Sequence, residues 1–341
     1  MRYLIDLQHP AHLHFFRNLV QRLVSEGHEV LVTGRKKDIL LELAREYNFD
    51  IKVLSSAKTG LANMVLEVIQ HQSRLIKLIK TFKPDAMLAI AGTFIALPGF
   101  LTRTPTYVFY DTEHATISNL LAYPFASCVY VPNCYRKKIR WNHERYNGYH
   151  ELTYLHPDVF VPDQSVLEEA GLQQGEPFSI VRFVAWEAAH DRGLQGIALK
   201  NKIRAVEELN KFGRVFVVSE NELPADLKSY RCRLPVSRMH HLMAYASLIF
   251  GESATMVSEG AVLGVPGVYI DPIGRGYTDE QEREYGMVFN FTHQQQEQSI
   301  AKAVEIVLLT DKNFWKERRS LMLADKIDVN HLLYRVVTSS P

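Results

Sequence analysis

The chain has 341 residues, 47% hydrophobic and 23% charged, with a formal net charge of +1. That length exceeds what one ordinary core uses, so two domains are expected. The composition is that of a soluble globular protein, and a charge so near zero gives no global electrostatic case for nucleic acid. Cys128, Cys134 and Cys232 show no C-x-x-C spacing, which argues against a disulfide framework or zinc finger and fits a reducing cytoplasm. No signal peptide is read at the N-terminus. The longest apolar stretch, MLAIAGTFIALPGFL, is broken by Gly92, Pro98 and Gly99 and is too short to span a membrane.

RYLIDL predicts a first strand that stops at the polar turn Gln8-His9-Pro10-Ala11-His12. A helix pattern follows to Glu26, with Gly27 as its stop, and HEVLVTG predicts a second strand. Asp38 to Tyr47 reads as helical and DIKVLS as extended. Ala62 to Phe82 predicts a long helix with Leu66, Ile69, Leu75, Ile76 and Ile79 on its apolar side. AMLAI, TYVFYD and CVYVP are apolar strands, and a first unit closes near residue 150. The turn-rich segment YNGYHELTYLHPDVFVPD, 146–163, reads as a linker. The pattern restarts with FSIVRFV and continues through RVFVVS, LIFGES, GVYID and MVFNF, giving a second unit over 166–320. Residues 321–341 read as a helical tail expected to pack back on the first unit. Strands that are apolar throughout and alternate with helices imply α/β architecture, with two doubly wound parallel sheets in tandem. No G-x-G-x-x-G follows the first strand, so a dinucleotide-binding oxidoreductase has little support.

In open parallel sheets, ligands sit outside the carboxyl ends of the strands. The polar residues gathered there are His9, His12 and His14; Asp111, Glu113 and His114; Arg182 and Trp186 to Arg192; Glu252 to Glu259; and Asp271 to Thr278. In GESATMVSEGAVLGVPGVYID, 251–271, Ser253, Ala254 and Thr255 open a helix whose backbone N–H groups and dipole suit a diphosphate. Glu259 lies about two turns along, where it could accept hydrogen bonds from two ribose hydroxyls. The plainer alternative is that Ser253 caps the helix and Glu259 is solvated.

This segment resembles the donor-binding segment of the GT-B superfamily, and of UDP-N-acetylglucosamine 2-epimerases in particular, with their Asp-Ser-Gly-Gly, a later Glu and Leu-Gly-x-Pro. Here Glu252 stands for Asp and Ala254-Thr255 for the two glycines. YDTEHATISNLLAYPFASCVYVP resembles the Glu-x-Asn-Ala segment of the lipid II-forming N-acetylglucosaminyltransferase. The whole chain is also similar to a family of GT-B-like proteins that begin His-Pro-Ala-His-x-His-Phe-Phe and share Asp-Thr-Glu-His, Tyr-Asn-Gly-Tyr and Leu-His-Pro. Those motifs stand here at 9–16, 111–114, 146–149 and 155–157.

The resemblance implies a GT-B fold of two Rossmann-like domains facing a cleft. It also implies a metal-independent, cofactor-free glycosyltransferase that uses a nucleotide-sugar donor, expected to be a UDP-sugar. The alternatives are a UDP-sugar 2-epimerase or a non-catalytic nucleotide-binding protein. The acceptor, a sugar or lipid-linked group, is expected on the first domain and the donor on the second. His12, with Asp111, Glu113 and His114, forms the expected catalytic set, a neutral His12 serving as base. His9, Arg182, Trp186, Glu252 to Thr255, Glu259 and Arg275 form the expected substrate-binding set, arginine matching phosphate oxygens. His-x2-His-x-His straddles a turn, so no metal is expected there. The basic-aromatic run YRKKIRWNHERY, 135–146, reads as a solvated helix face, with contact to an anionic membrane at the cytoplasmic side as its second reading.

Overall fold

The computed structural model describes residues 1–37, 39–58, 60–183, 196–219, 222–309 and 312–338. The chain divides into two compact units, Met1–Tyr154 joined by the segment from Ile327 onward, and Leu155–Lys326.

In the first unit β1 (Arg2–Leu7), β2 (Glu29–Lys36), β3 (Lys52–Ser56), β4 (Ala86–Ile90), β5 (Thr106–Phe109), β6 (Cys128–Pro132) and β7 (His143–Tyr146) form one sheet in the order β3-β2-β1-β4-β5-β6-β7. Every pairing is parallel. The helices are α1 (Pro10–Ser25), α2 (Leu40–Glu46), α3 (Leu61–Phe82), α4 (Ala96–Thr102), α5 (Thr116–Ala122) and the short α6 (Leu152–Leu155). α1 forms where Pro10 presets the helical φ at its first position and His9 caps the end, its Nδ1 accepting from the Ala11 N–H at 3.3 Å. Leu13, Phe16, Val20 and Leu23 recur at helical spacing and are all buried, so the helix covers the sheet with one apolar stripe. Leu4, Leu75, Ile79, Met87 and Ile95 build the core on the other side.

Three expectations need correction. In α3, Leu75 and Ile79 are buried, but Leu66 and Ile69 face solvent, while Glu67 and His71 are buried in their place. The first half of α3 therefore covers polar groups rather than the apolar core. The run 135–146 is not a helix: Tyr135, Ile139 and Tyr146 are buried and its end is strand β7. The segment from Tyr149 to Tyr154 is buried throughout, so the first half of what reads as linker is core of the first unit, which ends at Tyr154. Turn residues masked an aromatic-rich packing surface.

In the second unit β8 (Phe178–Arg182), β9 (Arg214–Val218), β10 (Leu248–Gly251), β11 (Gly267–Ile270) and β12 (Val288–Phe291) form a parallel sheet in the order β12-β11-β10-β8-β9. Its helices are α7 (Ser165–Glu169), α8 (Leu199–Asn210), α9 (Met239–Met243), α10 (Ala254–Leu263), α11 (Gly276–Arg283), α12 (Gln296–Leu308) and α13 (Lys312–Asp325). The C-terminal region is thus three helices. α13 stays with the second unit, and α14 (Val329–Thr338) returns to pack on α1 of the first. The Arg22 guanidinium lies 3.4 Å from the Tyr334 ring centroid, and Leu333 and Val337 are fully buried.

Candidate functional site

In the first sheet the connections after β1 and β4 leave in opposite directions, so the carboxyl ends of these neighbouring strands form the topological switch point. After β4, Ala91 and Gly92 both adopt left-handed backbone, φ 67° and 74°. A Cβ at Gly92 would stand 2.4 Å from the Val108 side chain, and an alanine in this region costs about 1–2 kcal/mol. Strain of this kind persists only where its surroundings enforce it. Here the Ala91 N–H is tied to the Phe109 carbonyl at 3.0 Å.

After β1 stand His9, exposed and used as the α1 cap, and His12, half-buried in the first turn of α1. The Gln8 N–H donates to His12 Nδ1 at 3.3 Å. In the neutral ring the proton therefore sits on Nε2. Burial pushes the His12 pKa well below its ordinary value, helped by His9, His150 and Lys37 and opposed by Asp6. His12 is thus a neutral imidazole presenting an Nε2–H donor. The base expected from the sequence would need a bare nitrogen, and the bare one is already occupied. His14 is buried two residues on, stacked on Tyr154 with ring centroids 5.2 Å apart.

Beneath this turn lies a polar network absent from the sequence-based expectations. Asp6, fully buried, accepts from Thr33 Oγ1 at 2.7 Å and Gln8 Nε2 at 3.2 Å, and His71 Nε2 lies 3.0 Å away. Ser55 Oγ is 2.8 Å from His71 Nδ1 and 3.2 Å from Glu67 Oε1, and Arg35 reaches the same Glu67 oxygen at 3.3 Å. Burial acts to raise the Asp6 pKa, but His71, Thr33 and Gln8 outweigh it and hold the carboxyl below its ordinary range. The network grips the Gln8 side chain, and Gln8 in turn fixes the tautomer of His12.

Asp111 follows β5. Its Oδ2 pairs with His150 Nδ1 at 3.2 Å, and its Oδ1 accepts from Thr112 Oγ1 at 3.0 Å. His150 is buried against the Phe15 ring, centroids 4.5 Å apart, and among the described residues its Nε2 has no hydrogen-bond partner. Burial lowers the His150 pKa and Asp111 opposes the shift. Glu113 is buried, its Oε1 accepting the Arg136 N–H at 3.2 Å, so it anchors the loop after β6. His114 is half-buried beside it. His12, Asp111 and His150 thus come together at one sheet end, whereas Glu113 turns inward. His150 was missed because it sits in the segment read as linker.

In the second sheet the switch point lies between β8 and β10, whose ends carry Arg182 and Glu252. Only glycine fits at 251, because a Cβ there would stand 1.9 Å from the Arg182 carbonyl oxygen. That close approach sets the first turn of α10 against the end of β8. Ser253 caps α10, its Oγ accepting from the Met256 N–H at 3.4 Å, and Ala254 and Thr255 begin the helix. Glu252 is turned into its own unit, accepting the Ile197 N–H at 2.6 Å and pairing with Lys202 at 3.3 Å. Glu259 is buried rather than solvated, with Oε1 2.9 Å from His240 Nε2. Asp271 Oδ1 accepts the N–H groups of Ile273 and Gly274, both at 2.8 Å, and Arg275 lies 3.5 Å from it at the start of α11. Trp186, with His190 to Arg192, lies outside the described residues. Among the described residues no three His, Cys, Asp or Glu side chains are grouped to hold a metal ion, and no helix is long and apolar enough to cross a membrane.

The UDP-GlcNAc 2-epimerase of Methanocaldococcus jannaschii matches with a TM-score of 0.70 over 100% of both chains at 14% identity. The Neisseria meningitidis UDP-GlcNAc 2-epimerase bound to UDP-GlcNAc gives 0.70 over 100% of both chains at 12% identity. The spinosyn rhamnosyltransferase SpnG gives 0.63 over 99% of this chain and 100% of its own, at 13% identity. These likenesses show the GT-B fold, two parallel-sheet α/β domains. By sequence the chain is similar to uncharacterized protein MJ0665 of Methanocaldococcus jannaschii, 25% identical over 284 residues, 79% of this chain and 81% of that one. Residues 1–290 match the family described as protein of unknown function (DUF354), and this GT-B chain, with its two switch-point clusters, belongs to that family.

Proposed function

We propose that this protein is an enzyme of nucleotide-diphosphate sugars. It takes a UDP-sugar as donor and transfers the sugar to a sugar or lipid-linked acceptor in cell-surface polysaccharide or glycolipid synthesis at the cytoplasmic side. The observation that carries this reading is the switch point of the second sheet, where Arg182 ends β8 beside the Ser253-Ala254-Thr255 opening of α10. A diphosphate there meets the N–H groups of a helix start and an arginine fork, both suited to phosphate oxygens. Arg275 and Trp186 complete the donor set. Glu259 accepts the ribose hydroxyls, and His240 is the positioning residue that orients its carboxylate. Solved relatives of this fold carry UDP or UDP-GlcNAc, which supports the choice of nucleotide.

The first unit serves the acceptor. Asp111, held by His150 and Thr112, takes the proton of the acceptor hydroxyl, while His12 donates its Nε2–H to a substrate oxygen. The acceptor oxygen bonds to the anomeric carbon as the bond to the diphosphate oxygen breaks. The leaving charge is stabilised by the α10 terminus and Arg182. His9 and His114 border the acceptor.

A 2-epimerase is the second reading, favoured by the grouping of Asp111, His12 and His150, because removing and restoring a proton on a sugar ring needs several titratable groups. Incubation of the protein with UDP-GlcNAc, alone and with a panel of sugar and lipid-linked acceptors, separates the two. Acceptor-dependent UDP release supports the transferase, whereas epimerised product without acceptor replaces it with the second reading. Tight binding without turnover across donor and acceptor panels would leave a nucleotide-binding protein. In titration calorimetry, Glu259→Gln should weaken UDP binding roughly tenfold or more, since losing a charge-assisted hydrogen bond costs about 1.5–3 kcal/mol. Unchanged affinity would remove Glu259 from the site.

A further inference from the structure

On the first sheet, α3 packs beside α4 and α4 beside α5. The outer surface of α4 and α5 is apolar where a solvent-facing helix would be polar. Phe100, Leu101, Ile117, Leu120 and Leu121 are exposed, Ile117 to 71%. Phe100 lies against Phe125, ring centroids 5.6 Å apart, so the end of α4 and the residues after α5 form one ridge. The loop after β6 adjoins it: Lys137 Nζ is 3.4 Å from Thr116 Oγ1 at the start of α5, and Trp141 meets Tyr123 edge-on.

The exposed charge of the segments that build this surface, residues 86–143, has one sign. Arg103, Arg136, Lys137, Lys138 and Arg140 are exposed. Between Asp85 and Glu144 the only carboxylates are Asp111 and Glu113. Glu113 is buried on the Arg136 N–H and Asp111 is engaged by His150. An apolar ridge fringed by cations, with an aromatic at its margin, has the chemistry of a surface that inserts shallowly among anionic headgroups. A second copy of the chain fits worse. A two-fold contact through this face would set its cations against the same cations, with no carboxylate of the patch to answer them.

We propose that the α4–α5 face and the loop 136–141 dock on an anionic lipid bilayer. The proposal is independent of the sugar chemistry and survives if the transferase reading fails. The test is co-sedimentation of the full chain with extruded vesicles of phosphatidylcholine, with and without phosphatidylglycerol. Binding should require the anionic lipid and weaken as salt rises. Lys137→Glu with Lys138→Glu should lower the bound fraction at least tenfold. Ile117→Ser with Leu120→Ser, both at exposed positions, should abolish the binding that persists at high salt, with an unchanged circular dichroism spectrum. Equal binding to both vesicle types, or to neither, would overturn the proposal. So would a dimer in light scattering that the Ile117→Ser/Leu120→Ser variant loses, because the ridge would then serve a second copy.

Discussion

His12 shows how one backbone hydrogen bond assigns a chemical role. The imidazole follows the first strand, as a catalytic base would, yet the Gln8 N–H occupies its Nδ1. Burial keeps the ring neutral at physiological pH, so Nε2 keeps its proton. The expected result is a nitrogen-15 NMR spectrum of the Nε2–H tautomer, unchanged across neutral and mildly acid pH. His12→Gln, which keeps an N–H donor, should retain part of the turnover that His12→Ala loses, with UDP affinity near that of the parent in both. General acid–base or hydrogen-bonding groups contribute about 10²–10⁴-fold to rate, which sets the scale for His12→Ala. A ring that titrates near 6.5 and a pH–rate profile that loses its acid limb in His12→Gln would restore the role of base.

At the scale of elements, the instructive cases are those where amphipathic pattern and burial part company. The first half of α3 presents Leu66 and Ile69 outward, because its inward face closes over the Asp6–His71–Glu67 network. Only the i,i+4 pair Glu67 and His71 signalled it in the sequence. α14 is simpler: its buried face, Leu332, Leu333, Val336 and Val337, follows helical spacing, and it packs on α1. Leu333→Ala should destabilise the first unit by about 2–5 kcal/mol, the usual cost of truncating a fully buried leucine. Urea unfolding followed at the aromatic signals of the first unit would measure it. A loss within experimental scatter would mean that α14 is not part of that core.

For the whole molecule, two histidines with desolvated rings contribute to the response to pH. His12 and His150 both have pKa values lowered below the ordinary 6.5, burial being the largest cause in each. Between the folded value and 6.5 the unfolded chain binds more protons, so stability falls as pH drops through 6.5 and levels off once the folded forms also titrate. Asp6 is depressed from 3.8, so its contribution is present above that value and is lost only in stronger acid. Melting temperatures taken from about pH 8 to about pH 5 should decline, and His12→Gln should flatten part of the slope. A parent protein with no decline in that window would contradict the burial of both rings.

The architecture was legible in the sequence because it rests on local periodicity. Apolar strands, helix stops and strand-end polar residues predicted two parallel sheets, and the comparisons with solved structures bear out the GT-B fold. Strand-end placement also singled out His12 and Asp111 in the first sheet and Arg182 and Ser253 in the second, since in each parallel sheet the residues after the strands lie at its carboxyl edge. Only the tertiary structure decided what each side chain does. Glu113 and Glu252 accept the backbone N–H groups of Arg136 and Ile197, Glu259 meets His240, and His150 reaches Asp111 from 39 positions along the chain, 111 to 150. Such pairings depend on which distant segments a sheet order brings together, and neither residue type nor spacing carries that information.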